Sequence, residues 1–190
     1  MPELEIHKPT TALVVIDLQK GIGAQPTQPY TPQEVIRNAA MLVKVFRKNG
    51  MPVFLVHVVA APETMLKVTS DESFARTGPT PPDRSEFVPE IAPVPSDIVI
   101  AKKQWGAFYG TDLELQLRRR GMNTIVLCGI CTDMGVESTA RFAYEFGFQQ
   151  VFAEDAMSAR SAEQHNAAIR FIFPRMGRVW KTDEILKATA

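Results

Sequence analysis

The sequence predicts an α/β protein in which six parallel strands form one sheet between two layers of helices, a three-layer α/β/α fold. Short apolar runs alternate with segments of helical periodicity, which is the pattern of β-α-β units. These runs are apolar at nearly every position, as expected for strands that helices cover on both faces. Right-handed crossovers leave few topologies for such a chain, and of these we expect the Rossmann-like order 3-2-1-4-5-6.

The individual elements are predicted from apolar runs and from capping signals. The predicted strands are residues 11–16, 52–59, 97–101, 124–128, 150–153 and 179–180. Capping-box patterns at 31–34, 111–114 and 161–164 mark three helix starts, and Thr182 is predicted to cap a terminal helix. A further helix is expected from about Asp133 to Phe146, followed by Gly147.

One stretch interrupts this alternation. Six prolines between positions 79 and 95 exclude long helices there. We therefore expect a covering loop at about 60–95, and loops of that length are usually functional or disordered. Because another strand follows at once, residues 1–190 are predicted to form a single domain.

Composition narrows the classes of partner. The 21 basic and 21 acidic residues cancel, so no general field would attract nucleic acid or an anionic membrane. No apolar run approaches the roughly 20 residues that a membrane helix needs. The first residues lack a signal-peptide pattern, and two cysteines make a secreted disulfide framework a poor fit. We expect a cytoplasmic protein that binds a small molecule.

Cys128 and Cys131 form a C-x-x-C pattern, which also occurs in redox and zinc sites. Cys128 ends an apolar run and should be buried, and the chain has no second C-x-x-C pair. His57 is expected in the core and His165 as a structural hydrogen-bonding group. We predict structural cysteines and no metal site. The candidate strand ends carry no G-x-G-x-x-G loop, so no dinucleotide or other cofactor is predicted.

Polar residues at the strand ends are the candidates for chemistry. Asp17 follows the first strand, where a carboxyl group either exchanges protons with a substrate or caps the loop. Lys102 and Lys103 follow the third strand, and neighbouring side chains on an extended segment point to opposite sides. At most one of the two lysines therefore faces the cleft. Strands one and four are neighbours in the expected order, so Asp17 should meet the turn 131–135.

Gly135 lies in the first turn of a predicted helix, where backbone N–H groups are unpaired. With the turn around Ile130 and Cys131 it would form an oxyanion or anion pocket, and local packing is the alternative. Apolar side chains near these positions suit a pocket for a ring-bearing substrate, or equally a sheet edge or subunit interface. They are Trp105, Phe108, Tyr109, Met65, Phe74 and Met134.

Three stretches, residues 12–19, 100–113 and 127–141, resemble the isochorismatase-like (cysteine hydrolase) family in order and spacing. By this resemblance Asp17 matches the catalytic aspartate and Lys102 the catalytic lysine. The Ile130–Cys131 bond matches a peptide that is typically cis. Gly135 falls where most members carry the nucleophilic cysteine. The resemblance also implies an oxyanion hole, which we assign to Gly135, Met134 and Cys131. It implies a substrate pocket as well, which we assign to Gln19, Trp105, Ile130 and Phe108.

The glycine decides which chemistry the resemblance implies. Without a thiol, the thioester route of the amide-hydrolysing members is closed. True isochorismatases also have glycine there and cleave a vinyl ether, which needs a proton donor but no protein nucleophile. We therefore predict a hydrolase of a small ring-bearing metabolite, with Asp17 as general acid or base and Lys102 as its electrostatic partner. The alternatives are a non-catalytic small-molecule binder and a mainly structural oligomer. Family members commonly self-associate, so at least a dimer is expected.

Overall fold

A computed structural model describes residues 6–59, 66, 68–71 and 81–190, and its strands form one sheet in the order β3-β2-β1-β4-β5-β6. All neighbouring strands are parallel. The strands are Thr11–Ile16 (β1), Val53–Val58 (β2), Ile98–Lys102 (β3), Thr124–Ile130 (β4), Gln149–Ser158 (β5) and Arg178–Trp180 (β6). The predicted fold class and strand order are confirmed.

Helices cover both faces of the sheet. They are Lys20–Gly23 (α1), Pro32–Lys48 (α2), Leu113–Arg119 (α3), Glu137–Glu145 (α4), Ala162–Ala167 (α5) and Thr182–Thr189 (α6). The longest of these, α2, has 17 residues. Among the residues that the structure describes, no helix is long and apolar enough to cross a membrane.

The strand β1 supplies side chains to two separate cores. Leu13 and Val15 pack in the cluster that α2 and α6 cover, whereas Val14 and Ile16 pack in the cluster under α3 and α4. All four are essentially inaccessible to solvent. Burying an aliphatic side chain of this size contributes about 1.5–3 kcal/mol, so packing on both faces stabilises the strand that Asp17 follows.

Two helices begin with the predicted capping boxes. On α2, Thr31 accepts from the Glu34 N–H and Glu34 accepts from the Thr31 N–H. On α5, Ser161 and Gln164 make the same reciprocal pair. These local patterns are reliable because both partners lie within four residues of each other.

Two other predicted caps were wrong. Helix α3 begins after Asp112, and the Thr111 hydroxyl donates to the Ala107 carbonyl instead of forming the capping box. Lys181 is the residue before α6, and Thr182 donates its N–H and hydroxyl to Asp155. In both cases the helix begins one residue away from the predicted start, so the threonine does not occupy the N-cap position.

Strands β4 and β5 extend beyond the predicted ends at residues 128 and 153. Gly129 lets β4 continue, because its φ is 126° and a Cβ there would lie 2.0 Å from the Ile16 carbonyl oxygen. Only glycine fits that position. The pairing of β5 with β4 shifts register between Leu127 and Gly129. Glu154 and Asp155 therefore lie inside β5, whereas the apolar pattern predicted that the strand would end at residue 153.

The connection after β4 also differs from the prediction. The chain first makes a π-helical turn, Thr132–Val136, and α4 then runs to Glu145 rather than Phe146. Single π-helical turns are rare and often occur at functional sites. This one carries Gly135.

The predicted covering loop is described only in part. Residues 60–65, 67 and 72–80, which include Met65 and Phe74, lie outside the described residues. The described part lies against helix α1, whose residues Lys20 and Gly21 donate main-chain hydrogen bonds to the carbonyls of Glu86 and Arg84. This segment therefore borders the residues that follow β1.

Candidate functional site

Asp17 and Lys102 form a buried ion pair at the carboxyl ends of the strands. The Lys102 Nζ lies 2.7 Å from the Asp17 Oδ2, and the two side chains are 1% and 6% exposed. Asp17 follows β1, and Lys102 ends β3, two strands away. That separation is about 10 Å of backbone, which the long lysine side chain bridges over the end of β2. Lys103 is exposed, so the lysine that contacts Asp17 is Lys102, which the family resemblance also favours over its neighbour.

Asp17 leaves β1 with an unusual backbone conformation. Its φ is 57°, and among the described residues it has the one positive φ outside glycine. Aspartate tolerates this left-handed region better than most residues, at a cost of about 1–2 kcal/mol. The Asp17 N–H still donates to the Val56 carbonyl at 2.9 Å. The strand pairing therefore continues up to Asp17, where the chain then turns away.

The Lys102 ammonium group is fully engaged. Besides Asp17, it donates to the carbonyl of Gln104 at 3.1 Å and to that of Trp105 at 2.6 Å. An ammonium group has three N–H donors, and these three acceptors use all of them. Lys102 is thus a fixed positive charge beside Asp17 rather than a group that has an N–H left to offer a ligand.

The second carboxyl oxygen of Asp17 is in the opposite situation. Its Oδ1 is buried and has no hydrogen-bond partner among the described residues. Burial raises the pKa of Asp17 to about 6, and the charge and hydrogen bond of Lys102 offset part of that effect. About half of Asp17 is therefore protonated at pH 6 and about a tenth at pH 7. Since Oδ2 faces the ammonium, the proton belongs on Oδ1, from which it is available for transfer.

Gly135 lies directly against this ion pair. A Cβ built on Gly135 would be 3.1 Å from the Asp17 Oδ2, 3.0 Å from the Ile16 Cγ2 and 3.5 Å from the Lys102 Nζ. Asp17 therefore meets the turn after β4, as the strand order predicts. The absence of a side chain at position 135 leaves the carboxyl group bordered by backbone on that side.

The turn before Gly135 begins with a cis peptide bond between Ile130 and Cys131. The Cys131 carbonyl then accepts hydrogen bonds from the N–H groups of Met134, at 3.2 Å, and Val136, at 3.1 Å. The Met134 N–H, which we expected in an oxyanion hole, therefore already has a partner within the turn.

Both cysteines are poor nucleophiles in this structure. Burial raises the pKa of the Cys128 thiol to about 12. Burial, followed by the charge of Asp133, raises the pKa of the Cys131 thiol to about 11. Neither thiol is appreciably ionised near neutral pH, and the thiolate is the reactive form.

The predicted substrate-binding residues differ in their accessibility. Gln19 is buried, and its amide binds main-chain groups: Nε2 donates to Arg84 and Val58, and Oε1 accepts from the Val58 N–H. Phe108 packs inside against two other phenylalanines, and Ile130 is buried. Trp105 is about half exposed. The geometry gives Gln19 and Phe108 internal roles and leaves Trp105 accessible.

Two histidines hold neighbouring segments. His57 was expected in the core, but it is only partly buried. Its Nδ1 lies 2.7 Å from the Ser85 carbonyl oxygen, and its ring stacks on Phe87. His165 is fully buried and is a structural hydrogen-bonding group, as expected. Its Nδ1 lies 2.9 Å from the Thr132 Oγ1 at the start of the π-helical turn.

Sequence reasoning missed one group beside the site, the hydroxyl of Thr139. It donates to the Gly135 carbonyl at 2.6 Å and accepts from the Ala107 N–H at 3.0 Å. Its spacing of four residues from Gly135 was visible in the sequence, but its contact with Ala107 depends on the fold. In the described part of the chain, no group of three or more His, Cys, Asp or Glu residues could hold a metal ion.

Comparison with known proteins adds a family and several relatives. Residues 11–184 match the model of the isochorismatase domain. The chain is 52% identical to the uncharacterized isochorismatase family protein YecD of Escherichia coli O157:H7, covering 97% of this chain and 99% of that protein. It is 48% identical to the uncharacterized isochorismatase family protein YwoC of Bacillus subtilis (strain 168), covering 98% of both.

Solved structures resemble the whole fold. An isochorismatase family protein from Burkholderia thailandensis superposes with a TM-score of 0.90 at 43% identity, covering 95% of this chain and 96% of that chain. The N-carbamoylsarcosine amidase of Thermoplasma acidophilum superposes with a TM-score of 0.75 at 28% identity, covering 92% and 97%.

Proposed function

This chain belongs to the isochorismatase family, and from that premise we propose that it hydrolyses a small ring-bearing metabolite by acid catalysis, with Asp17 as the proton donor. One observation carries the proposal: the Asp17 Oδ1 is buried and free of partners among the described residues, in a carboxyl group whose pKa burial raises to about 6. A general acid is most effective when its pKa lies near the working pH.

A vinyl ether is the substrate class that this arrangement fits. Asp17 transfers its proton from Oδ1 to the terminal carbon of the C=C bond, whose π electrons form the new C–H bond. The ether-bearing carbon becomes an oxocarbenium ion, to which water adds. That water returns a proton to the Asp17 carboxylate. The resulting hemiketal then breaks its C–O bond to release an alcohol and a ketone. No step needs a protein nucleophile.

Lys102 tunes this proton donor. Its charge offsets part of the rise in the pKa of Asp17 that burial alone would produce. After the proton leaves, the same charge stabilises the carboxylate that forms. Because the ammonium donors are held by Asp17, Gln104 and Trp105, the charge is already in position and need not reorganise during the reaction.

The glycine at 135 supports this route over a covalent one. A thioester needs a thiolate beside the Asp17–Lys102 pair, and position 135 has no side chain there. The two thiols of the chain have pKa values raised to about 12 and about 11. The missing side chain at position 135 also favours the second candidate, a protein that binds a small molecule without converting it.

A substrate screen separates these candidates. Purified protein is incubated in D₂O with enolpyruvyl ethers of cyclic alcohols and, because one structural relative is an amidase, with small amides. We expect vinyl ether turnover with one deuterium in the methyl group of the ketone product. Amide hydrolysis without vinyl ether cleavage would contradict the proposal. A ligand that raises the melting temperature but is recovered unchanged would favour the binding protein.

We extend the proposal to self-association. Helix α4 and its C-terminal end expose Phe142, Tyr144 and Phe146, and exposed apolar groups of this size are common at subunit interfaces. Light scattering coupled to size-exclusion chromatography should give at least the mass of a dimer, and a monomer across micromolar concentrations would contradict this part of the proposal.

A further inference from the structure

Thr139 links two backbone segments that both border Asp17 and Lys102. It is buried on α4. Its hydroxyl donates to the Gly135 carbonyl at 2.6 Å, one helical turn earlier, and accepts from the Ala107 N–H at 3.0 Å. The first bond lies within the turn after β4, whereas the second reaches a loop that follows β3.

The loop that contains Ala107 is also the one that holds Lys102. Its carbonyls at Gln104 and Trp105 accept two of the three ammonium hydrogen bonds. At Gly106 the loop packs on the start of α4, because a Cβ there would lie 3.5 Å from the Ser138 Cβ. The loop, the lysine and the start of α4 therefore form one packed unit.

These contacts close a ring around the candidate site. Gly135 lies against Asp17 and Lys102, the Lys102 ammonium is held by the loop, and the loop returns through Ala107 and Thr139 to Gly135. The Thr139 hydroxyl makes a polar link between the two halves of this ring.

We propose that Thr139 is a positioning residue, whose hydroxyl fixes the Gly135 turn against the Lys102 loop and so keeps the Asp17 carboxyl group enclosed. This inference deepens the proposed function and rests on it for its catalytic meaning. The enclosure itself is a property of the ligand-free protein and can be measured without a substrate.

Loss of the hydroxyl has a defined physical consequence. The Ala107 N–H and the Gly135 carbonyl would each lose a partner in a buried region, and such groups recruit water or move apart. Water reaching Asp17 would weaken the desolvation that raises its pKa. The substitution would not remove any of the nearby charged groups. These are Lys102 on β3, Asp133 on the turn and Arg160 after β5.

The chain offers a matched control in Thr189. It is buried on α6, and its hydroxyl donates to the Ile185 carbonyl four residues earlier, as Thr139 does to Gly135. Helix α6 covers the face of the sheet opposite α4. Thr189→Val therefore removes the same kind of buried hydroxyl on the other side of the sheet.

The experiment compares Thr139→Val, Thr139→Ser and Thr189→Val with the wild type. The pKa of Asp17 is measured by ¹³C NMR of its carboxyl carbon in the ligand-free protein, together with the thermal midpoint. We expect Thr139→Val to lower the pKa of Asp17 by at least one unit, a tenfold change in its proton affinity. Thr139→Ser, which keeps a hydroxyl, and Thr189→Val should stay near the wild-type value.

An unchanged Asp17 titration in Thr139→Val, with a thermal midpoint lowered as much as in Thr189→Val, would overturn the proposal and leave Thr139 a purely structural residue. Should Thr139→Val not fold, Thr139→Cys replaces it, since a thiol is a weaker donor and acceptor, and the same two outcomes apply. A wild type without turnover would contradict the proposed function but not this inference, because the titration needs no substrate.

Discussion

Two carboxyl groups of this protein, Asp17 and Glu154, each lie beside a lysine, yet their acidities shift in opposite directions. Burial raises the pKa of Asp17 to about 6, and Lys102 recovers only part of the shift. Burial acts on Glu154 as well, but hydrogen bonds from His165, Lys181 and Tyr30 overcome it and lower the pKa of Glu154 to about 2.

The difference lies in how many partners each carboxyl group has. Glu154 accepts from Tyr30 at 2.8 Å, ion-pairs with Lys181 and lies 3.4 Å from the His165 Nε2. Asp17 has Lys102 on one oxygen and no partner, among the described residues, on the other. A carboxylate that accepts several hydrogen bonds stabilises the fold in its charged form. A buried carboxyl group with one oxygen that accepts no hydrogen bond is suited to proton transfer.

The largest expected effect separates the two groups by function. Asp17→Asn removes the proton donor and should lower kcat on a vinyl ether substrate about 100-fold or more, since general acid catalysis contributes roughly 10²–10⁴-fold. Glu154→Gln, the matched change at the other site, should keep kcat within about threefold in the same steady-state assay. Equal losses in the two variants would mean that the distinction between the groups is false.

The reverse pattern is expected for stability. Glu154→Gln weakens the contacts to Lys181, His165 and Tyr30 and should lower the free energy of unfolding by about 2 kcal/mol. Urea unfolding followed by circular dichroism measures this. The control is Glu137→Gln, which removes the helical pair with Arg141 and should change stability by no more than about 0.5 kcal/mol. A loss at Glu154 as small as at Glu137 would show that the network contributes little.

The two groups also predict opposite pH dependences. Protonated Asp17 is the active form, so kcat/KM should fall about tenfold per pH unit above its pKa of about 6. The lowered pKa of Glu154 gives stability that is complete above its unfolded value of 4.5 and lost as the pH falls toward about 2. Steady-state kinetics across pH measure the fall in kcat/KM, and urea unfolding across pH measures the loss of stability. Activity that rises through pH 6 would make Asp17 a base rather than an acid.

A smaller change should sharpen the comparison from the lysine side. Lys102 lowers the pKa of Asp17, so Lys102→Met should raise it further, above 6. Lys103→Met, at the exposed neighbouring position, should leave it unchanged. NMR titration of the two variants checks this, and equal effects from both lysines would mean that the direct contact between Lys102 and Asp17 has no special weight.

The two regions also differ in how far the sequence could predict them. Asp17 was visible because it directly follows a continuous apolar strand, and strand order alone brought it to the turn of Gly135. The choice of Lys102 over Lys103 came only from the family resemblance, since the residue pattern shows neither where β3 ends nor the reach of a side chain across β2. Sequence patterns report periodicity and neighbours in the chain, and this choice depends on neither.

The Glu154 network was hidden for a different reason. The apolar run predicted a strand over 150–153, but β5 continues to Ser158 through a register shift. Tyr30, His165 and Lys181 come from three distant segments, and nothing local marks them as partners. The partner of Thr182 was hidden in the same way, because its hydroxyl donates to Asp155 on β5.

The ionisation of Asp17 itself tests the central claim most directly. In ligand-free protein labelled with ¹³C at its carboxyl carbons, the chemical shifts of Asp17 and Glu154 are followed from pH 2 to pH 9. We expect the Asp17 resonance to titrate near pH 6 and that of Glu154 to be already ionised above about pH 3. An Asp17 midpoint at or below its ordinary value of 3.8 would contradict the account, because the carboxyl group would then hold no proton to donate near neutral pH.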